Sequence, residues 1–567
     1  MAANSKILTL LGLGPLLLLP LGAQAGDSRT PFVGGPLTTL PKVDAPKAPQ
    51  PNVQIQTGKP NSALESLLAK PVTPRHFAIE GAKSLPFNTV AEPFSALVGK
   101  TVTVADLIKA ANAVTKLYQE HGYVLSFCFI PAQDFAEGKV RVTVVEGHVA
   151  KVAITGNAGA AEGKIRDIAA AMLRDVPLKR ATFERTVNLL SQLPGLKISA
   201  LVPPPQTVGG ATELQLNVSR KPITVGTGLL FNQPGVRGMF TVNANSLTPQ
   251  AEQITLSVLA PRGRGNEEFY AAAYAQPLGS NGLQVRVEAS HYHGHPQNAA
   301  LQNLSLARTV GNDKLAATLS YPFLLNNTRN LTGSFTAYAA DNTDKYQNTQ
   351  TSASLTSKSN VRVVQGDLAY AAVSPGKTLR LSLGLAKGFD ALGANRDTSA
   401  SLNPGQAIPG NFDLNFTKVL AQVAHSHDWP LQLGTVAAFT GQYSRATLPS
   451  SEQISFGGTR FGLGYPMGEI AGDSGWGASF EVNRGIAVDT TYLKQLKPYL
   501  LYDTAQVHLN QTALQHRQIA SVAAGLRLTD NQHYNLDLSI AKPVGSAPVE
   551  SGSRSPRFNA SFSYQFN

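Results

Sequence analysis

The residues of this chain best suited to chemistry are few, and their surroundings do not support it. Gly472-Asp473-Ser474-Gly475 spells the phrase found around a trypsin-like nucleophile. Serine catalysis also needs a histidine base and an acid to orient it, and no matching histidine context occurs. Gly99-Lys100-Thr101 and Gly376-Lys377-Thr378 end like a phosphate-binding loop, but the first glycine of that motif would fall at Phe94 and Ala371, so neither completes it. His291, His293 and His295 have the spacing of one strand face and so of a metal site; with Gly294 and Pro296 interleaved they read as a solvent-exposed loop. Glu267-Glu268 and Asp341 to Asp344 read as surface-loop charge, and no carboxylate pair stands out as an acid and base dyad. The single cysteine, Cys128, excludes an intrachain disulfide and a cysteine metal cage. Within YVLSFCFIP it reads as a small buried strand residue. The expectation is a protein with no catalytic residues, cofactor or metal.

The elements point to a different kind of work. Lys6, an apolar run from Ile7 to Leu21 and Ala23-Gln24-Ala25 read as a secretory signal over residues 1–25. That run is shorter than the ~20 residues of a spanning helix, and no other segment is long and apolar enough for one. A membrane location would therefore require a closed barrel, the other structure that satisfies its own backbone in lipid. Fifty glycines, 15% charged residues and 43% hydrophobic residues without an apolar block suit such a barrel. A net charge of +12 admits nucleic acid or anionic lipid; the scattered basic residues, with no basic helix or aromatic-basic array, argue against nucleic acid.

Residues 26–73 are rich in proline, threonine, lysine and glutamine and read as an extended linker, with a possible short amphipathic helix at Asn61 to Lys70. Two α+β units follow, at 74–147 and 148–221, each reading strand, helix, helix, strand, strand at a repeat of about 75 residues. In the last helix Phe183, Val187, Leu190 and Leu193 share a side. From residue 222 the pattern becomes alternation: Leu283, Val285, Val287 and Ala289 interleave with Gln284, Arg286, Glu288 and Ser290, and Leu379, Leu381, Leu383 and Leu385 with Arg380, Ser382 and Gly384. A soluble sandwich would alternate too. The signal, the lack of cysteine pairs and the aromatic final strand, with Phe558, Ala560, Phe562, Tyr564 and Phe566 on one face, favour a transmembrane antiparallel β-barrel over 222–567. At roughly 22 residues per strand and connection it would hold sixteen strands.

Several phrases resemble one family. SSEQISFGGTRFGLGYPMGEIAGDSGWGASFEV, from Ser450 to Val482, resembles the in-folding loop of the two-partner secretion outer-membrane transporters, the haemolysin secretion/activation and filamentous haemagglutinin transporter class. HGYVLSFCFIPAQDFAEGKVRVTVVEGHV and LLSQLPGLKISALVPPP are similar to its polypeptide-transport-associated (POTRA) domains; YPFLLNNTRNL, LSLGLAKGFDALGA and GQYSRATLPSSEQ extend the resemblance through the barrel. The resemblance implies an outer-membrane protein of a Gram-negative bacterium, with the 26–73 linker and the POTRA domains in the periplasm and the Asn61 to Lys70 helix as a possible plug. Its partners would be a large secreted adhesin- or haemolysin-like β-helix, outer-membrane lipid, and periplasmic chaperones and the barrel assembly machinery for its own insertion. An assembly factor that inserts other barrels and a passive porin are the alternatives.

The resemblance also implies site residues. The loop, 458–475, carries the motif residues Gly457, Gly458, Gly462, Gly464, Pro466, Gly472 and Asp473. The family's loop-tip arginine would align with Leu463, with Arg460 three residues earlier. The aspartate it pairs with aligns with Asp503, in Leu501-Tyr502-Asp503-Thr504-Ala505. Either Arg460 reaches Asp503, or the loop is held mainly by Phe461, Tyr465 and hydrogen bonds. The client would meet the second module along Leu196, Lys197, Ile198, Ser199, Ala200, Leu201 and Val202. There an exposed strand edge accepts main-chain hydrogen bonds without demanding a sequence.

Overall fold

A computed structural model describes residues 40–42, 68–231, 235–296, 305–401, 412–459, 461–510, 516–549 and 551–566. The signal segment, nearly all of the linker, residues 61–67 of the candidate plug helix and Arg460 lie outside the described residues.

The first unit comprises β1 (His76–Glu80), α1 (Phe87–Ser95), α2 (Val104–Glu120), β2 (Phe127–Phe129) and β3 (Lys139–Val145). Helix α2 starts where Thr103 and Asp106 exchange side-chain-to-backbone hydrogen bonds in a capping box. Its buried residues Leu107, Ala111, Val114 and Tyr118 recur at helical spacing and face a sheet of order β1–β3–β2. The second unit repeats this with β4 (His148–Gly156), α3 (Glu162–Arg174), α4 (Arg180–Ser191), β5 (Leu196–Leu201) and β6 (Ala211–Arg220), in the order β4–β6–β5. Phe183, Val187, Leu190 and Leu193 are all buried in its core.

Only Glu146 and Gly147 separate the two sheets. The Gly147 carbonyl accepts the Leu178 N–H at 2.9 Å and the Gly122 carbonyl accepts the Arg180 N–H at 2.7 Å, so the units share main-chain bonds. A Cβ on Gly147 would lie 2.4 Å from the Leu125 carbonyl oxygen, a position only glycine fills without displacing backbone. Cys128 is buried in the first unit.

The rest is a closed antiparallel barrel of sixteen strands, two of them interrupted. They are β7 (Ile223–Leu230), β8 (Arg237–Asn245), β9 (Gln253–Arg262), β10 (Glu268–Leu278), β11 (Leu283–Gly294), β12 (Leu306–Leu325), β13 (Arg329–Asn348), β14 (Ser354–Ser374), β15 (Lys377–Gly388, resuming at Asn395–Ala400), β16 (Thr417–Asp428) and β17 (Leu433–Ser444). Then, past a two-stranded hairpin β18 (Ile454–Phe456) and β19 (Ile470–Gly472), come β20 (Ser474–Arg484, resuming at Ile486–Ala487), β21 (Gln495–His508), β22 (His516–Thr529), β23 (Tyr534–Pro543) and β24 (Arg557–Gln565). β24 closes on β7 through five register pairs, from Ser561↔Leu230 to Gln565↔Gly226.

Alternation sorts the faces. Val287, Leu381, Leu383, Leu385, Leu500, Ile540 and Phe558 are large and exposed, which suits lipid, whereas the intervening side chains face the lumen. The wall there carries a polar network. Arg527 donates to both Glu481 oxygens at 2.8 and 2.7 Å and to Asp537 at 2.9 Å, and its guanidinium lies 4.1 Å from the Tyr499 ring centre.

Three loop expectations are corrected by the strands. His291 and His293 lie on β11, not in a loop: the long β12 pairs them with Asp313 and Gly311, and His291 contacts the Asp313 carboxylate at 2.6 Å. Glu267 is buried beside Arg237, 3.4 Å away, and Glu268 begins β10. Asp341 to Asp344 lie within β13, where Asp341 and Asp344 pair with Arg362 and Arg308. Glu267, Asp341 and Asp344, read from sequence as surface-loop charge, thus each face an arginine.

Candidate functional site: the lumenal loop and the module at the barrel mouth

Between β17 and β20 the chain leaves the extracellular rim, turns inward and lies on the inner wall. Its feet are residues 448–453 and 473, its stem is the β18–β19 hairpin and its tip is 457–469. Ile454, Phe456, Tyr465 and Ile470 pack on Ala505, Val507 and Ile519, which point inward from β21 and β22. The tip folds on itself through Gly457 N–H to Phe461 O (2.8 Å) and Gly458 N–H to Tyr465 O (3.0 Å). Gly457 and Gly458 have φ of +122° and +66°, conformations that disfavour any side chain. A Cβ on Gly464 would lie 2.8 Å from the Pro543 nitrogen, and one on Gly472 would lie 2.5 Å from the His508 carbonyl oxygen. Motif glycines therefore serve winding at some positions and close approach to the wall at others.

Asp503 points at the tip. One carboxylate oxygen accepts the Leu463 N–H at 2.9 Å, and the other accepts the Ser521 hydroxyl. Ser521 in turn accepts the Gly464 N–H at 3.1 Å. So the residue aligned with the family's arginine does meet Asp503, but through its main chain. The Tyr465 hydroxyl donates to Ser546 O at 2.7 Å, Phe461 stacks edge-on to Phe456 at 5.9 Å, Arg237 reaches the Met467 sulfur at 2.9 Å, and Glu469 accepts the Val549 N–H at 2.7 Å. Pro466 lies in the turn between Tyr465 and Met467.

The feet carry a buried charge pair of their own. Lys418, inward on β16, donates to the Glu452 carboxylate at 2.7 Å and to its carbonyl at 3.0 Å. The two side chains are 0% and 1% exposed. Tyr338 on β13 donates to the same carboxylate oxygen at 2.8 Å. Breaking a pair so thoroughly removed from water costs about 3–5 kcal/mol, because the remaining partner keeps an uncompensated buried charge. Asp473, at the other foot, is also fully buried; it accepts the Leu448 N–H at 2.8 Å, the Gln453 amide at 3.0 Å and the Asn510 N–H at 2.8 Å. Gln442 ties the feet together, donating to the carbonyls of both Glu452 and Asp473 at 3.1 Å. Ser474 bonds to the Ser444 main chain, so the protease-like phrase is part of this fastening. The signal for it was a lysine on the water-facing parity of β16 and a lone acid in SSEQ.

The periplasmic end is built by the second module. Arg185 of α4 donates to Pro322 O at 2.9 Å, near the end of β12, and to Asn281 O at 2.7 Å, in the turn between β10 and β11. Asn188 reaches Asn327 at 2.9 Å, Lys164 the Gly279 carbonyl at 3.3 Å, and Ser246 the Pro194 carbonyl at 2.6 Å. Among the described residues β5 pairs only with β6, leaving its other edge open. Leu196, Ile198, Ala200 and Val202 are buried, while Lys197 and Ser199 are exposed and Leu201 is half-buried. β5 therefore starts beside the barrel rim, with an unpaired edge leading away from it.

Comparison with known proteins adds ancestry to this geometry. Residues 72–147 match the POTRA domain, ShlB-type, and residues 235–528, more than half of the chain, match the haemolysin secretion/activation protein ShlB/FhaC/HecB family. The hemolysin transporter protein ShlB of Serratia marcescens is 23% identical over 84% of this chain and 85% of its own. The heme/hemopexin transporter protein HuxB of Haemophilus influenzae is 20% identical over 79% of each. Among solved structures, CdiB from Escherichia coli superposes with a TM-score of 0.67 at 16% identity, covering 90% of this chain and 93% of that one. BamA from Haemophilus ducreyi lacking POTRA domains 1–3 gives 0.53 at 12% identity, covering 88% and 100%. These two likenesses concern the fold.

Proposed function

The chain belongs to the haemolysin secretion/activation protein ShlB/FhaC/HecB family, and on that premise we propose that it exports one large partner polypeptide across the outer membrane of a Gram-negative bacterium. The observation that carries this reading is the unpaired edge of β5 beginning at the barrel mouth, where Pro194 is bonded to Ser246. A client strand added to Leu196–Val202 would gain main-chain hydrogen bonds with little demand on sequence and would have one end at the lumen. No nucleotide is required of this route. The lumenal loop fills the passage at rest and yields as the client enters. Asp503, Phe461 and Tyr465 hold its tip, and Arg460 adds its charge from the same segment. Periplasmic chaperones keep the client extended, and the barrel assembly machinery inserts the transporter itself.

The test compares culture medium and outer membrane of cells with and without the protein, by mass spectrometry. Loss of one large extracellular protein with other barrels intact is the expected result. Depletion of many barrels with an unchanged medium would replace this reading with an assembly factor. Cysteines at Lys197 and Ser199 should cross-link to the arrested client, while one at the far edge, at Lys151 on β4, should not.

A further inference from the structure

The two ends of the lumenal loop are fastened by different chemistry. At the tip, Asp503 meets main-chain N–H groups and a hydroxyl, Gly464 meets Ser521, and Tyr465 meets a carbonyl; each bond has a neutral donor that water can replace once the tip lifts. At the feet, Lys418 and Glu452 form an ion pair excluded from solvent, and Asp473 and Gln442 bind both feet to one another. Leu448 is sealed into an apolar cluster with Phe416, Leu414, Val361 and Val363 on the upper inner wall. Separating the ion pair would strand a charge in that cluster, whereas separating the tip gives up the apolar contact of Tyr465 and hydrogen bonds that water restores. Gly457 and Gly468, with φ of +122° and +71°, bound the tip and can absorb a change of winding.

We propose that Lys418 and Glu452 are positioning residues for transport: they form a fixed foot that stays in place while residues 457–469 swing aside for the client. The ion pair thus does its work by not opening, and the loop remains attached and correctly aimed for its return. This deepens the export reading and rests on it, so the tests are separable.

The first test needs no client. In planar bilayers Glu452→Gln and Lys418→Met should each raise resting conductance several-fold, and the exchange variant K418E/E452K should bring it back towards the parent value. Heat-modifiable electrophoretic mobility would verify that each barrel has closed. A Glu452→Gln variant with parent conductance would overturn the fixed foot whatever the fate of the export reading.

The second test uses export. Asn342 and Ser451 touch at 3.0 Å beside the foot, and Asn559 reaches the Leu463 carbonyl at 3.1 Å at the tip. Cysteine pairs at each site would be bridged with a short bifunctional thiol reagent in full-length protein. A bridged foot should leave export of the partner at the parent rate, and a bridged tip should abolish it. Loss of export on bridging the foot would overturn the proposal, as would full export through a bridged tip. Absence of export from the unbridged parent would instead count against the function.

Discussion

At the residue scale, the tip contact described for Asp503 is made by main chain where the family's arginine would align. Asp503 is present, Leu463 stands in the aligned position, and the contact is made by the Leu463 amide at 2.9 Å. Asp503→Ala should leave that amide and Ser521 without their acceptor, a cost of about 1–3 kcal/mol, seen as more frequent openings in single-channel recordings. Gly464→Ala should act alike for a steric reason, because its Cβ would meet the Pro543 backbone; unchanged conductance in both would mean the tip is not held there. Cys128 is a further residue-scale case. Burial pushes its thiol up to about 12, so alkylation of native protein at neutral pH should be negligible and should appear only on unfolding. The glycines and Asp503 were named from phrases that resemble one family's loop and strand. Nothing in those phrases marks the contact of Lys418 with Glu452, 34 residues away, which only closure of the barrel makes.

At the element scale, the reading of helices and strands followed periodicity closely. The order strand, helix, helix, strand, strand read for each unit is the order found, and Phe183, Val187, Leu190 and Leu193, read as sharing a side, are buried together. Misreadings came where strands run on past the membrane: Asp341 to Asp344 and the histidines looked like loop because their partners extend beyond what a bilayer requires. The first unit's last strand is fastened at its end by Glu146. Burial raises its carboxyl's pKa, but the amides of Lys83 and Ser84, the Ser84 hydroxyl and the Tyr118 hydroxyl outweigh that and hold it below the ordinary range. A carboxyl depressed on folding contributes stability above its unfolded pKa and loses it as pH falls through the folded value. Amide exchange at Lys83 and Ser84 should therefore accelerate as pH drops below about 4, after correction for intrinsic rates. In Glu146→Gln it should already be fast at neutral pH, without that pH step.

At the scale of the whole molecule, the module and the barrel act as one body at the mouth. Arg185 binds one turn and one strand end of the barrel with a single guanidinium, so Arg185→Ala should weaken docking by about 1–3 kcal/mol. The expected outcome is reduced export from a barrel that still shows parental heat-modifiable mobility; undiminished export would mean the remaining contacts suffice. Between β6 and β7 there are only Lys221 and Pro222, which leaves the module little freedom to hand the client over by moving.

The rim opposite this mouth is uneven. β12, β13 and β14 run 20, 20 and 21 residues, whereas β7, β8 and β9 run 8, 9 and 10, and about 9–11 residues cross a bilayer. The resumed part of β15 pairs with the extracellular end of β14, so the tall side stands above the membrane like a parapet. A polypeptide emerging beside it is screened on one flank and open to water on the other. Its folding would begin on the low flank, and the growing product would lean outward over β7–β9, where it cannot slip back without first unfolding.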